Sequence, residues 1–174
     1  LSFNAGTWYE NSLQMTEYTI KLWMITNTYN DQEQNIAIHR AKHFLFDQIE
    51  NTIFVNSEEK TKCIELIRAG LNVTSMPGDP ADQLIGIMLF HKLNAVMEDR
   101  IKIVEIEIST GGGVVYLHGE NETSKDLILP DWWITADLTH CDPALTDSEK
   151  ILSIPQNNAW RDLNLSWPDE PALD

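Results

Sequence analysis

At 174 residues the chain has the length of one domain, and with 43% hydrophobic and 22% charged residues it can bury a core without a disulfide framework or a structural metal. Twelve basic side chains against 27 acidic ones leave a net charge of −15. That charge argues strongly against a general DNA- or RNA-binding role, because phosphate contact needs a basic face, and it disfavours anionic membrane surfaces.

Residues 17–26 predict the first strand, with Tyr18, Ile20, Leu22 and Met24 on one face at period two. Asn30 is placed to cap a helix over about residues 31–50, and Glu33 three positions on completes a capping box. Its apolar stripe is Ala37, Ile38, Ala41, Leu45 and Ile49. Residues 52–55 read as a short buried strand. Ser57 is the expected cap of a second helix whose apolar positions are Cys63, Ile64, Leu66 and Ile67 and which ends at Gly70. Residues 71–76 return as a strand. For the third helix, Asp79 fits the cap, Pro80 the first helical position, and Asp82 adds a carboxylate to the first turn. Over 84–97 this helix is apolar on most sides, which places it at the centre of the core, and Gly86 would permit a close helix crossing. The strand pattern is strongest over 101–109, which turns through Gly111, Gly112 and Gly113 into a strand over 114–118. The order is β-α-β-α-β-α-β-β, a single layered α+β (or α/β) domain with at least one antiparallel pair.

Beyond Gly119 the composition changes. That stretch holds five of the seven prolines, four of the six tryptophans, and 12 acidic against 3 basic residues. The expected division is a globular domain over 1–133 and an acidic extension containing Trp and Pro over 134–174. Acidic, Pro-punctuated sequence is often disordered, yet Trp132, Trp133, Trp160 and Trp167 favour burial. Residues 131–134 are therefore expected to dock on the domain, and the chain from about Pro143 to pack loosely or act as a contact arm.

Cys63 and Cys141 form no ligand pair, and Cys63 reads as a small buried hydrophobe in the second helix. No apolar run approaches a membrane span, and the start Leu1, Ser2, Phe3, Asn4 has no signal-peptide pattern. Glycosylation sequons begin at Asn72, Asn121 and Asn164, but nothing else points to secretion, so a cytoplasmic location is expected.

The best metal-like feature is His39, His43 and Asp47, which helical spacing stacks on one face. That face lies opposite the apolar stripe, where a solvated His43–Asp47 pair is the more ordinary reading, and no Glu follows His39 to supply a metalloprotease base. His91 within the apolar third helix fits a hydrogen-bonded core histidine better than a catalyst. His140, Cys141 and Asp142 are adjacent rather than spaced for chelation. Gly111–Gly113 leads into a strand, so it reads as a hairpin turn and not as a phosphate loop, and at the third helix Asp79 and Asp82 would repel a phosphate. No nucleophile, Walker, Rossmann or kinase motif is present, so neither a catalytic residue nor a cofactor is assigned.

The stretch 76–98, MPGDPADQLIGIMLFHKLNAVME, resembles an uncharacterised protein family of marine T-even-type bacteriophages, cyanophages included. The likeness extends from Thr7, Trp8 and Tyr9 through the 101–108 strand to Asp131, Trp132 and Trp133. It brings no functional residue with it. The resemblance implies a virus-encoded protein acting in an infected bacterial cell. The leading expectation is a non-enzymatic accessory or interaction protein that binds a host or viral protein through an acidic surface or through Trp132 and Trp133. The alternatives are a metal-dependent hydrolytic enzyme using His39, His43 and Asp47, and a self-assembling homo-oligomer that buries the third helix and the Val104/Ile106/Ile108 face.

Overall fold

The chain begins with a strand that its sequence pattern conceals. In the computed structural model, which describes residues 1–119 and 129–136, β1 (Ser2–Tyr9) turns into β2 (Ser12–Thr26) through Glu10 and Asn11. Both turn residues are left-handed, at φ 48° and 59°, as a two-residue hairpin requires. Asn tolerates that conformation, but Glu does not announce it. Ala5 and Gly6 also weaken the alternation of β1, so the observed order has one strand more than expected.

The remaining elements are α1 (Asp31–His43), a π turn (Phe44–Ile49), β3 (Ile53–Asn56), α2 (Lys60–Arg68), β4 (Val73–Met76), α3 (Asp82–Met97), β5 (Ile101–Thr110), β6 (Gly113–His118) and a 3₁₀ turn (Asp131–Trp133). The six strands form one mixed sheet in the order β4-β3-β1-β2-β5-β6. β1 pairs parallel with β3, and β3 with β4; the other neighbours are antiparallel. The fold is α+β.

One face of the sheet carries the main core. Phe3 stacks on Tyr18 at 5.2 Å between ring centres, Phe54 meets Tyr18 edge-on, and Ile20, Ile106 and Ile108 complete the layer under α3. Ten of the α3 residues are buried, because the sheet lies on one side of the helix, α1 on another and the Asp131–Trp133 turn on a third. The apolar α3 surface and Ile106 and Ile108 are thus covered within the chain, and Val104 is only half-buried. The faces expected to serve self-assembly are used for folding instead. On the opposite side of the sheet α2 builds a smaller core, where Cys63 packs with Ile53 and Val55 beside Trp8, Leu66 and Val73.

Several local expectations change for identifiable reasons. Asn30 caps α1, accepting from the Gln32 N–H at 2.9 Å, but Glu33 leaves the cap to pair with Arg100. Ser57 does not cap α2; its N–H donates to the Met76 carbonyl, and the Asn56 side chain accepts from the Glu58 N–H. α3 starts at Asp82 with Ala81 ahead of it, so Asp79 is not its cap. Gly86 admits the sheet rather than a second helix: a Cβ there would lie 2.9 Å from Leu117 and 3.0 Å from Ile108. Gly70, with φ 81°, ends α2 as expected.

The period-two face of β2 ends at a bulge. Trp23 pairs with Glu105 and Met24 with Ile103, which leaves Val104 as the extra residue. Past the bulge Met24 is 44% exposed. The Asn94 side chain of α3 then holds both peptide groups of Ile103, accepting from its N–H at 2.8 Å and donating to its carbonyl at 3.3 Å.

An ion cluster ties α1 to the α3–β5 connection. The buried Arg40 and the half-buried Arg100 each lie 2.7 Å from the Glu98 carboxylate. Burial opposes the Glu98 charge, but the hydrogen bonds from Arg100 and Arg40 prevail and hold its carboxyl below the ordinary 4.5. A carboxyl that is more acidic when folded stabilises the protein above its unfolded pKa and loses that contribution as pH falls through the carboxylate range. Urea midpoints should therefore drop between about pH 5 and pH 3, and Glu98→Gln should flatten that drop while lowering the midpoint at pH 7. An unchanged pH profile in the variant would dismiss the assignment.

Candidate functional site

The residues singled out in the sequence do not assemble into a reaction centre. His39 is exposed on α1, and His43 Nδ1 lies 2.5 Å from Asp47 Oδ2 on the same outer surface. Among the described residues, no group of three or more His, Cys, Asp or Glu is gathered so as to hold a metal ion. His91 is half-buried and meets Phe90 edge-on, 5.5 Å between ring centres. His140, Cys141, Asp142, Trp160 and Trp167 lie outside the described residues, as do two of the sequons and most of 134–174.

Trp132 and Trp133 dock on α3. Trp133 is fully buried, which removes its ring from contact with any partner, whereas Trp132 is half-buried. Lys92 secures them: its buried ammonium donates to the carbonyls of Trp132 at 2.6 Å and Thr135 at 2.9 Å, and lies 5.5 Å from the Trp132 ring centre. A buried lysine keeps its charge only with such acceptors around it.

Two surfaces emerge that the sequence reading did not find. The first is the side of β2, β5 and β6 away from α3. Strand register places its side chains in rows: Thr19, Ser109 and Val114; Lys21, Glu107 and Tyr116; Trp23, Glu105 and His118; then Ile25 and Lys102. Met15 lies on the same side, opposite Gly6. Met15 is 61% exposed, Trp23 41%, Ile25 53%, Val114 65% and Tyr116 51%. The polar members are mutually satisfied. Lys21 pairs with Glu107 at 2.7 Å, and Glu105 accepts from Tyr116 and pairs with His118 at 2.6 Å. The Tyr116 hydroxyl, and then His118, hold the Glu105 carboxyl below its usual range. Trp23 and Tyr116 meet edge-on at 5.8 Å. One signal was available: β2 is apolar at Ile20 and Leu22 on one face and at Trp23 and Ile25 on the other, a pattern expected of a strand with layers on both sides.

The second surface is a cleft of about 920 Å³ on the α3 side, where the β1–β2 hairpin, the turn before α3 and the β5–β6 turn converge. Asp79 accepts from Asn56 at 2.9 Å and Asp82 accepts from Thr110 at 2.7 Å. Those two carboxylates, expected at a helix cap, thus serve the cleft wall. Burial, and next the nearby Asp82 charge, push the Tyr18 phenol well above its ordinary range.

The chain matches no model of a known protein family, and no curated protein matches it in sequence. No described helix is long and apolar enough to cross a membrane.

Proposed function

We propose that the protein is a non-enzymatic interaction module that docks a basic protein surface on the open face of β2, β5 and β6. The carrying observation is the row of exposed side chains Met15, Trp23, Ile25, Val114 and Tyr116 on one side of a sheet whose other half is roofed by α2. Exposed apolar side chains interleaved with mutually satisfied charges suit an association surface. The net charge of −15 favours a positively charged partner and speeds its encounter, and it opposes a second copy of the same chain. Following the phage resemblance, the partner is a host or viral protein in an infected bacterial cell.

The test compares the wild type with a Val114→Asp/Tyr116→Ser variant of unchanged melting temperature as baits, followed by crosslinking of whatever is retained. The expected result is a partner lost with the variant and crosslinked through basic residues to β2 or β6. A partner retained equally by both baits would refute the reading, as would one crosslinked elsewhere. Sedimentation of a dimer that the same variant dissociates would replace it with self-association.

A further inference from the structure

The exposed apolar side chains of the open face form a line across it. In successive rows over β2, β5 and β6, the exposed apolar member is Val114 and then Tyr116 on β6, followed by Trp23 and then Ile25 on β2. The line therefore crosses the sheet diagonally, and its two halves meet where Trp23 and Tyr116 touch edge-on. β5, the strand between them, is polar on this face, with Ser109, Glu107 and Glu105. Met15 stands apart, two rows beyond Thr19 on β2. With rows about 7 Å apart and strands about 4.8 Å apart, the line is about 22 Å long.

This shape selects among partner elements. A strand adding to the sheet would bond along the β6 edge and leave the line uncovered. A second sheet packed face to face needs apolar side chains on all three strands, and β5 offers carboxylates. An amphipathic helix presents one apolar stripe with polar residues on both flanks, and about 15 residues span the line at 1.5 Å each. α2 already forms a helical layer over β3 on this side of the sheet, and a helix on the line would continue that layer. The flanks specify charge as well. Glu107 shares a row with Tyr116 and Glu105 a row with Trp23, so the two carboxylates lie on opposite sides of the midpoint. Lys21 and Ser109 both approach Oε1 of Glu107, while its Oε2 accepts from no described residue. Glu105 takes one donor on each oxygen, from His118 and Tyr116, and a carboxylate has room for about four.

We propose that the element docking here is an amphipathic helix of about 15 residues whose apolar stripe is flanked on both sides by Lys or Arg. The inference rests on the reading of this face as the docking site for a basic protein, and it names the part of that protein that makes the contact. Trp23 and Tyr116 lie at the centre, where covered aromatic side chains carry most of an association energy. A cationic side chain drawn to either carboxylate also meets the face or edge of these rings. A second copy of the chain, at net charge −15, has the wrong sign for this surface.

Amide NMR of the whole chain with three synthetic peptides of about 15 residues tests the proposal. The first carries leucine at three- and four-residue spacing with lysine on both flanks, the second shuffles the same residues so that no stripe remains, and the third replaces lysine with glutamate. Salt of about 0.15 M screens unspecific attraction to an acidic protein. The first peptide should shift amides of β2, β5 and β6, gain helicity by circular dichroism, and bind about tenfold tighter than the other two. Trp23→Ala should weaken it about tenfold and Ile25→Ser severalfold. Met15→Ser, on the same face but off the line, should leave its affinity unchanged. Equal binding of the shuffled peptide, no gain in helicity, or equal losses from Met15→Ser and Ile25→Ser would overturn the helix and leave the docking face for a basic partner standing. Absence of shifts on β2, β5 and β6 with both lysine peptides, or tighter binding of the glutamate peptide, would overturn the two readings together.

Discussion

Replacing Trp133 with alanine is expected to lower the unfolding free energy by about 3–5 kcal/mol, the range for emptying a large buried aromatic site. Trp133 is 0% exposed and heads the fully buried side chains by volume, although it comes from a three-residue turn and not from the sheet or a long helix. The size of the effect follows from its position as a lid on α3, next to the carbonyls that keep Lys92 satisfied. The indole Nε1 has no hydrogen-bond partner among the described residues. Trp133→Phe should therefore cost far less, since it removes a buried N–H that had no acceptor while keeping most of the ring. Urea unfolding of both variants, with the slope checked for constancy, distinguishes the cases. A midpoint for Trp133→Ala equal to wild type would mean that the turn does not belong to the cooperative core.

Asn94→Leu is expected to cost about 2–4 kcal/mol, because it strands two backbone groups at once. Ile103 is fully buried, and it lies past the point where β6 stops, with His118 opposite Glu105. Its N–H and carbonyl are both taken by the Asn94 amide in place of a neighbouring strand. Leucine fills a similar volume but answers neither group. Asn94→Asp separates the two bonds: the carboxylate still accepts from the N–H but cannot donate to the carbonyl, and a smaller loss is expected. Hydrogen exchange at the Ile103 amide gives a local reading, with protection lost in Asn94→Leu and largely kept in Asn94→Asp. If the two variants unfolded at the same urea concentration, the amide bridge would not be what pins α3 to the bulge.

How much of this was legible in the chain depends on the range of the interaction involved. Local signals were reliable: Asn30 capping α1, Gly70 ending α2, and the apolar run that makes α3 the central helix. Each depends on residues within a few positions, where backbone preference and periodicity act directly. Signals that assumed a local use for a polar side chain failed. Glu33 and Asp79 looked like capping carboxylates, but each found a partner distant in sequence, Arg100 and Asn56, whereas Asp82 lies in the first turn of α3 as expected and also accepts from Thr110. A carboxylate gains more from a charged or oriented donor than from an exposed helix start, and that donor is brought near only by folding.

By itself the sequence determined the alternation of strands and helices, the net acidity, and which helix would be buried. Tertiary structure alone decided which apolar side chains remain outside. Ile20 and Trp23 carry the same local information, yet β2 buries the first under α3 and leaves the second 41% exposed, because α2 extends over the β3 side of the sheet while no described helix covers the β5–β6 side. The cleft was likewise invisible in the chain, since its wall joins Thr7, Thr16, Asp82 and Thr110 from four separate elements or their ends. Burial is a property of what lies across from a side chain, and what lies across is settled by long-range packing.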